Sequence, residues 1–351
     1  MKGERTLTIL SVAFPLLPVG SGADGGAEQI LYLLEKGLVD AGHRSIVIAA
    51  KGSHISGELV ETPAAASEIT GIRRAAAQRI HAQRIRQVLA RTEIDLIHFH
   101  GLDFYSYLAH ARLPMLATLH LPKEFYPLSA LNGNVTLNCV SQNQAQSIAP
   151  GNTCAVINNG IDIGQYKLGS GKRSHLLWLG RICPEKGVHI ALGVARRLDL
   201  PVIIAGPVHP FRDHQIYFAE KVRPLLDSKR LYIGHVDLLK KAELLSEASC
   251  LLIPSLIAET SSLVAMEAIA SGTPVVAFRS GALPEIVEHG KTGFIVDSEE
   301  EMARAIENVS ALSPQVCRSR ALERFDYKRM VASYLELYRR LIYGFAATQP
   351  E

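Results

Sequence analysis

Tryptophan, cysteine, net charge and long apolar runs are all in short supply in this chain. Its 351 residues include one tryptophan and five cysteines, and aromatic residues make up only 6%. The thiols Cys139, Cys154, Cys183, Cys250 and Cys317 are scattered, odd in number and without metal-ligand spacing. Most lie in apolar strand-like runs, which suits reduced thiols in the cytoplasm and argues against a disulfide framework. A net charge of +3 is too small to argue for a nucleic-acid partner, and none is expected. No uncharged apolar run approaches the roughly 18 residues that span a bilayer. The run 7–17 follows Lys2, Glu4 and Arg5 and is broken by Pro15. It lacks the long uncharged core and small-residue cleavage site of a secretory signal, so it reads as a first strand. A cytoplasmic protein is expected, with contact at a membrane surface left open.

What is present is ordinary globular composition, 48% hydrophobic and 20% charged. The length suits two domains of ordinary size, each burying its own core. Strand-like runs at 7–13, 45–49, 96–100, 115–119, 136–140 and 154–157 alternate with helical patterns such as 27–41 and 72–91. The second half repeats this with strands at 176–179, 202–205, 231–233, 250–254 and 275–278 and helices near 188–198, 240–247 and 263–270. Such alternation predicts an α/β protein with parallel sheets covered on both faces. The polar, glycine-rich piece 165–174 has no apolar period and reads as a linker. The expected division is residues 1–166, residues 167–329, and a final helix near 330–343 in a tail, 330–351, that braces the first domain. Two doubly wound, Rossmann-like domains are predicted, with a ligand cleft between their strand ends. Arg73, Arg74, Arg79, Arg84, Arg86 and Arg91 read as the solvated face of an amphipathic helix, with an anionic-lipid patch as the alternative.

The chemistry concentrates in 259–276. Glu259 and Glu267 are eight residues apart across the start of a short helix wedged between two apolar strands. The loop before such a helix lies at the carboxyl edge of a parallel sheet, where ligands bind. Ser261 and Ser262 can cap the helix and leave amides facing an incoming phosphate. Glu267 can accept two hydrogen bonds from a ribose diol, and Glu259 can hold the hydroxyls of a second sugar. A capping acid and a solvated helix glutamate are the plainer alternative. Upstream, Gly180-Arg181-Ile182-Cys183-Pro184-Glu185-Lys186-Gly187 follows a strand and precedes a helix. Arg181 and Lys186 can converge on one anion, the first as a fork and the second as a point charge. The alternative is two solvated surface charges.

Gly20-Ser21-Gly22-Ala23-Asp24-Gly25 matches the dinucleotide fingerprint GxGxxG between a strand and a helix. An NAD site also wants an acid at the end of the second strand, where the chain reads Ile48-Ala49-Ala50-Lys51-Gly52. A flexible glycine loop around Gly25-Gly26-Ala27-Glu28 is the favoured reading, and no cofactor is expected.

With these residues in view, the second half resembles the nucleotide-sugar domain of retaining glycosyltransferases of family 4, the "glycosyl transferases group 1", which have the GT-B architecture. The motifs are Gly180-Arg181…Glu185-Lys186-Gly187, Glu259…Glu267-Ala268, Ser271-Gly272-Thr273-Pro274-Val275-Val276 and Gly290-Lys291-Thr292-Gly293-Phe294. In the first half, Gly25-Gly26-Ala27-Glu28, Gly42-His43, His98-Phe99-His100, His120, Val140-Ser141 and Asn159-Gly160-Ile161-Asp162 also fit. The match runs nearly the whole chain.

The resemblance implies a hexosyltransferase whose donor is a nucleotide sugar, with UDP favoured. Arg181 and Lys186 would hold the donor diphosphate, Glu267 the ribose and Glu259 the transferred sugar. His120 would face that sugar near the reacting centre, and Gly25 and Gly26 would approach the diphosphate. Ser261, Ser262, Leu263 and Val264 complete the implied donor site, with His120, Arg181, Lys186 and Glu259 as its catalytic members. Many relatives read Glu-Pro-Phe-Gly-Leu-Val where this chain has Glu259-Thr260-Ser261-Ser262-Leu263-Val264. Serine thus replaces a glycine whose backbone approaches the donor, which implies an altered pocket around the sugar. Metal-dependent transferases often use Asp-x-Asp, which occurs nowhere in this chain, so no metal is expected. The pairs His98/His100 and His209/His214 have ligand-like spacing, but hydrogen bonding is sufficient to explain the first. The acceptor is expected to be a small molecule or lipid-linked, chosen by loops 52–71 and 121–134. Rival expectations are a nucleotide-sugar epimerase of the same architecture, a catalytically silent nucleotide-sugar binding protein and, most distantly, an NAD oxidoreductase.

Overall fold

A computed structural model describes residues 5–23, 25–64, 71–108, 112–128, 131, 135–148, 154–169 and 173–347. Asp24 of the glycine-rich run, residues 170–172 of the expected linker, and parts of the two expected acceptor loops (65–70, 129–130 and 132–134) lie outside them. The chain divides into two compact units, 1–159 with 327–351, and 160–326.

The first unit carries β1 (Thr8–Val12), α1 (Gly26–Asp40), β2 (Arg44–Ala50), β3 (Glu58–Thr62), α2 (Gly71–Leu89), β4 (Leu96–Phe99), β5 (Met115–Leu119), β6 (Val135–Cys139), α3 (Gln142–Ser147) and β7 (Cys154–Val156). Its strands order as β3-β2-β1-β4-β5-β6-β7 and all pair in parallel. The central strands β1, β4 and β5 are mostly apolar and buried along their length except at half-buried Thr8, as expected of a parallel sheet covered on both faces. α1 buries Ile30, Leu31, Leu34 and Leu38, the spacing that lays one stripe of a helix on a sheet.

The second unit runs β8 (His175–Leu179), α4 (Val188–Arg197), β9 (Val202–Ala205), α5 (Arg212–Tyr217), β10 (Arg230–Tyr232), α6 (Leu238–Glu247), β11 (Ala248–Ile253), α7 (Leu263–Ala270), β12 (Val275–Phe278), α8 (Leu283–Ile286), β13 (Gly293–Val296), α9 (Glu299–Asn308) and α10 (Pro314–Arg324). Its parallel order is β10-β9-β8-β11-β12-β13. The final helix, α11 (Tyr327–Ala347), groups with the first unit. There Tyr334 and Tyr338 are fully buried, reaching Thr118 and His98.

Several boundaries differ from the expectations. Residues 58–62, expected within a loop, form edge strand β3; its Glu-Leu-Val-Glu-Thr pattern is polar because only β2 pairs with it. The break between units falls after Asn159, ahead of the expected linker. Tyr166, at the head of that segment, is buried in the second unit's apolar core. Arg318 on α10 also donates to the Tyr166 and Ala270 carbonyls, both at 2.6 Å. The helix of arginines, α2, buries only His81, Ile85 and Val88. Arg73, Arg79 and Arg86 are exposed, whereas Arg74 pairs with buried Asp103 at 3.4 Å. Among the described residues no helix is long and apolar enough to cross a membrane.

Candidate functional site

In the second sheet the chain leaves β8 toward β9 and β10, then returns to lay β11 on the other side of β8. The β8/β11 junction is therefore a topological switch point, where the loops leaving two adjacent strands diverge and open a crevice. The loop after β8 spans 180–187, and the loop after β11 spans 254–262.

These two loops are stitched together. The Leu256 N–H donates to the Glu185 carbonyl at 2.8 Å. Pro184–Lys186 forms one tight turn that ends on Gly187 in the left-handed conformation, φ 65°. A Cβ there would lie 2.1 Å from the Pro254 carbonyl oxygen, so only glycine lets the loops approach this closely. The turn presents Lys186, whose Nζ lies 2.6 Å from Oε1 of Glu259. Ser255 Oγ donates to that same oxygen at 2.5 Å. Gly281, at φ 54°, packs on the Glu259 backbone, and the Ala282 N–H donates to the Glu259 carbonyl at 2.7 Å. Glu259 is thus held at backbone and side chain alike. Arg181 stands on the same loop, paired with Glu185 at 3.3 Å and nearly half exposed.

α7 begins beside these groups. Ser262 is its N-cap, and its Oγ accepts from the Ala265 N–H at 3.4 Å. Serine here supplies a helix cap that glycine has no side chain to make. Ser261 takes no part in the cap; its Oγ is buried with no hydrogen-bond partner. Leu263 and Val264 pack their side chains on the apolar core, so what they offer a ligand is backbone N–H. Those amides belong to the first turn, which has no carbonyl of its own to meet.

Glu267 is 2% exposed. Its Oε1 accepts from Tyr166 Oη and Lys241 Nζ, each at 2.7 Å, while Oε2 is buried with no partner. One of the two carboxylate oxygens expected to meet a diol is thus already engaged by protein donors. Burial, and then the neighbouring Glu267 carboxylate, push the Tyr166 phenol up, so it remains a donor. Tyr166, Lys241 and Ser255 were not foreseen. Ser255 carried a faint signal, since it follows an apolar strand four residues before Glu259; Lys241 is indistinguishable in sequence from its solvated neighbour Lys240.

The other expected residues belong to the first unit. Gly25 is the N-cap of α1 and Gly26 its first residue. Gly20 and Gly22 meet nothing within 4 Å where a Cβ would stand, so no close backbone approach demands glycine at either position. Glu28, buried in the first turn of α1, has its carboxyl pushed up by desolvation. His120 follows β5, and its Nε2 lies 3.1 Å from Nδ1 of His100. Burial lowers the His120 imidazole to about 4, so it is neutral at pH 7. His98 bonds Tyr338 at 2.7 Å and Thr118 at 2.8 Å, which accounts for both its nitrogens.

Comparison with known proteins gives this geometry a context. A sequence model of the family "Glycosyl transferases group 1" matches residues 173–311, and one of "Glycosyltransferase Family 4" matches residues 24–165. A glycogen synthase of Mycobacterium tuberculosis is 30% identical over 212 residues, 56% of this chain and 50% of that protein. The chain thus spans about half the length of that relative. A phosphatidyl-myo-inositol mannosyltransferase of Mycolicibacterium smegmatis is 26% identical over 364 residues, 92% of each chain. Among solved structures, the Anabaena protein HepE in complex with UDP and glucose matches with a TM-score of 0.71 at 20% identity, over 94% of this chain and 99% of that one.

Proposed function

The chain belongs to the family 4, group 1 glycosyl transferases, built of two doubly wound GT-B domains, and from that premise we propose that it transfers a sugar from a nucleotide-diphosphate sugar to an acceptor, with retention and without a metal. The observation that carries this reading is the Lys186–Glu259 pair, with Arg181 beside it, at the switch point of the second sheet. Breaking the sugar–phosphate bond leaves its electron pair on the diphosphate. Two cations and the first-turn amides of α7 stabilise that charge in a preorganised site. Glu259 then takes sugar hydroxyls and the free Oε2 of Glu267 a ribose hydroxyl.

UDP is the favoured nucleotide because the matching Anabaena protein was solved with UDP and glucose. A lipid-linked acceptor, approached from the membrane surface, is favoured by the inositol-lipid relative that covers nearly the whole chain. A cytoplasmic location fits such a donor. The test is a panel of nucleotide sugars with small-molecule and vesicle-borne acceptors in chelator-treated buffer. UDP release that requires an acceptor, and a product with the donor's anomeric configuration, support the reading. Turnover only after divalent cation is restored, or an inverted linkage, contradicts it.

A further inference from the structure

We propose that Cys183, Glu185 and His214 form a binding site for a soft divalent cation of the zinc class, on the same loop that carries Arg181 and Lys186. One ligand atom from each residue lies within 4.8 Å of the other two. Cys183 is fully buried, and Glu185 and His214 are half-buried. The Nδ1 atom of His214 is itself buried and has no hydrogen-bond partner, an orphan that ligation would satisfy.

The fold, not the local sequence, makes this set. Cys183 and Glu185 come from the loop after β8, whereas His214 lies on α5, after β9. Because β8 and β9 are adjacent and parallel, both segments leave the same edge of the sheet. The rings of His214 and His209 are 6.3 Å apart, and His214 also groups with the thiol and the carboxylate.

Ligand chemistry selects the ion. Sulfur, imidazole nitrogen and carboxylate oxygen together suit zinc, whereas magnesium and calcium prefer all-oxygen shells. Zinc holds such atoms at about 2.0–2.3 Å, so ligands around one ion stand roughly 3–4 Å apart. Ligation therefore requires the three side chains to close in from separations of up to 4.8 Å. Binding converts the Cys183 thiol to a thiolate and releases its proton to solvent. Three protein ligands leave a fourth position for water.

A consequence follows for the neighbouring cations and rests on the donor reading above. Glu185 now pairs with Arg181 at 3.3 Å. A cation that draws the Glu185 carboxylate to itself relieves Arg181 of that partner, and donor diphosphate binds more tightly. The metal would tune the donor site without joining the chemical step, so transfer in chelator is compatible with it.

Cobalt(II) is the direct probe, because thiolate ligation gives a sulfur-to-cobalt charge-transfer band. The reduced full chain, freed of metal by chelator, should bind one equivalent of cobalt with that band, and zinc should displace it. Cys183→Ser should abolish the band, and His214→Ala should weaken zinc affinity at least about tenfold. Cys154→Ser should change neither, which tests the rival thiol pair Cys139–Cys154, whose sulfurs are 3.0 Å apart. No band in the wild type, or a band that disappears with Cys154, overturns the site. UDP titration in parallel separates the two claims. UDP binding tightened by zinc in the wild type and not in Cys183→Ser supports the coupling, and binding indifferent to zinc overturns it. A cobalt band in a chain that never binds UDP upholds the metal site and sinks the donor reading.

Discussion

Lys186 Nζ stands 2.6 Å from Glu259 Oε1, an oxygen that Ser255 Oγ also bonds at 2.5 Å. The lysine side chain is 27% exposed and the glutamate 10%, so the pair is largely withdrawn from water. Removing either partner strands a charge in a poor solvent, whereas removing both does not. Lys186→Ala should lower transfer about tenfold or more, since it also strips charge from the leaving diphosphate. Glu259→Ala should be similarly impaired, and the double variant should melt higher than the two single losses in Tm add up to. Strict additivity in a thermal-melt cycle contradicts a coupled pair.

The bracket around Glu267 makes a different prediction, one about binding. Tyr166 and Lys241 fix Oε1 and so aim Oε2. Lys241→Met should raise the donor KM several-fold with kcat nearly unchanged, and Tyr166→Phe should do the same more weakly. A fall in kcat at constant KM would place these residues in the chemical step instead. Initial rates over a range of donor concentrations distinguish the two.

Acid should destabilise the first unit. His81 is fully buried, and desolvation, partly opposed by nearby Asp103, lowers its imidazole from the usual 6.5 to about 4. His98 and His100 are held well below the usual value, also by burial. A histidine whose folded pKa is depressed contributes stability that is present above pH 6.5 and lost as the pH falls toward 4. For His81 the loss is about 2 kcal/mol by pH 5. Thermal melts should therefore show Tm dropping by several degrees between pH 7 and pH 5, with a smaller drop in His81→Leu. An equal drop in that variant would exclude His81 as a contributor.

Two glycines should resist any side chain. Gly187 and Gly281 have φ of 65° and 54°, and a Cβ at either would meet a carbonyl oxygen at 2.1 Å. The left-handed backbone alone costs an alanine about 1–2 kcal/mol. Gly187→Ala and Gly281→Ala should each lower Tm and remove most donor affinity, because the clash falls on the Lys186 turn and on Glu259. Gly20→Ala, with nothing within 4 Å, is the control and should behave as wild type.

Most of the architecture was legible because buried parallel strands leave continuous apolar runs, as at Met115–Leu119 and Val202–Ala205. What escaped was short or at an edge: β3 is half polar, and β13 is four residues long. α9 and α10 were also missed, although Ser298 and Ser313 cap them and Pro314 opens the second. Capping signals mark the start of both helices. Within the site, residues that act through local order, such as Arg181, Lys186, Glu259 and Ser262, carried a pattern. Tyr166, Lys241 and the Cys183–Glu185–His214 group are assembled from segments 26 to 101 residues apart, and no local pattern encodes such meetings.

The proposed transfer depends first on the β8/β11 crevice of the second unit holding a nucleotide diphosphate through Arg181 and Lys186. Isothermal titration of UDP into the wild-type chain and into Arg181→Ala and Lys186→Ala tests it directly. The wild type should show one site, with affinity at least about tenfold weaker in each variant and falling as ionic strength rises. Equal UDP affinity in all three proteins would contradict it.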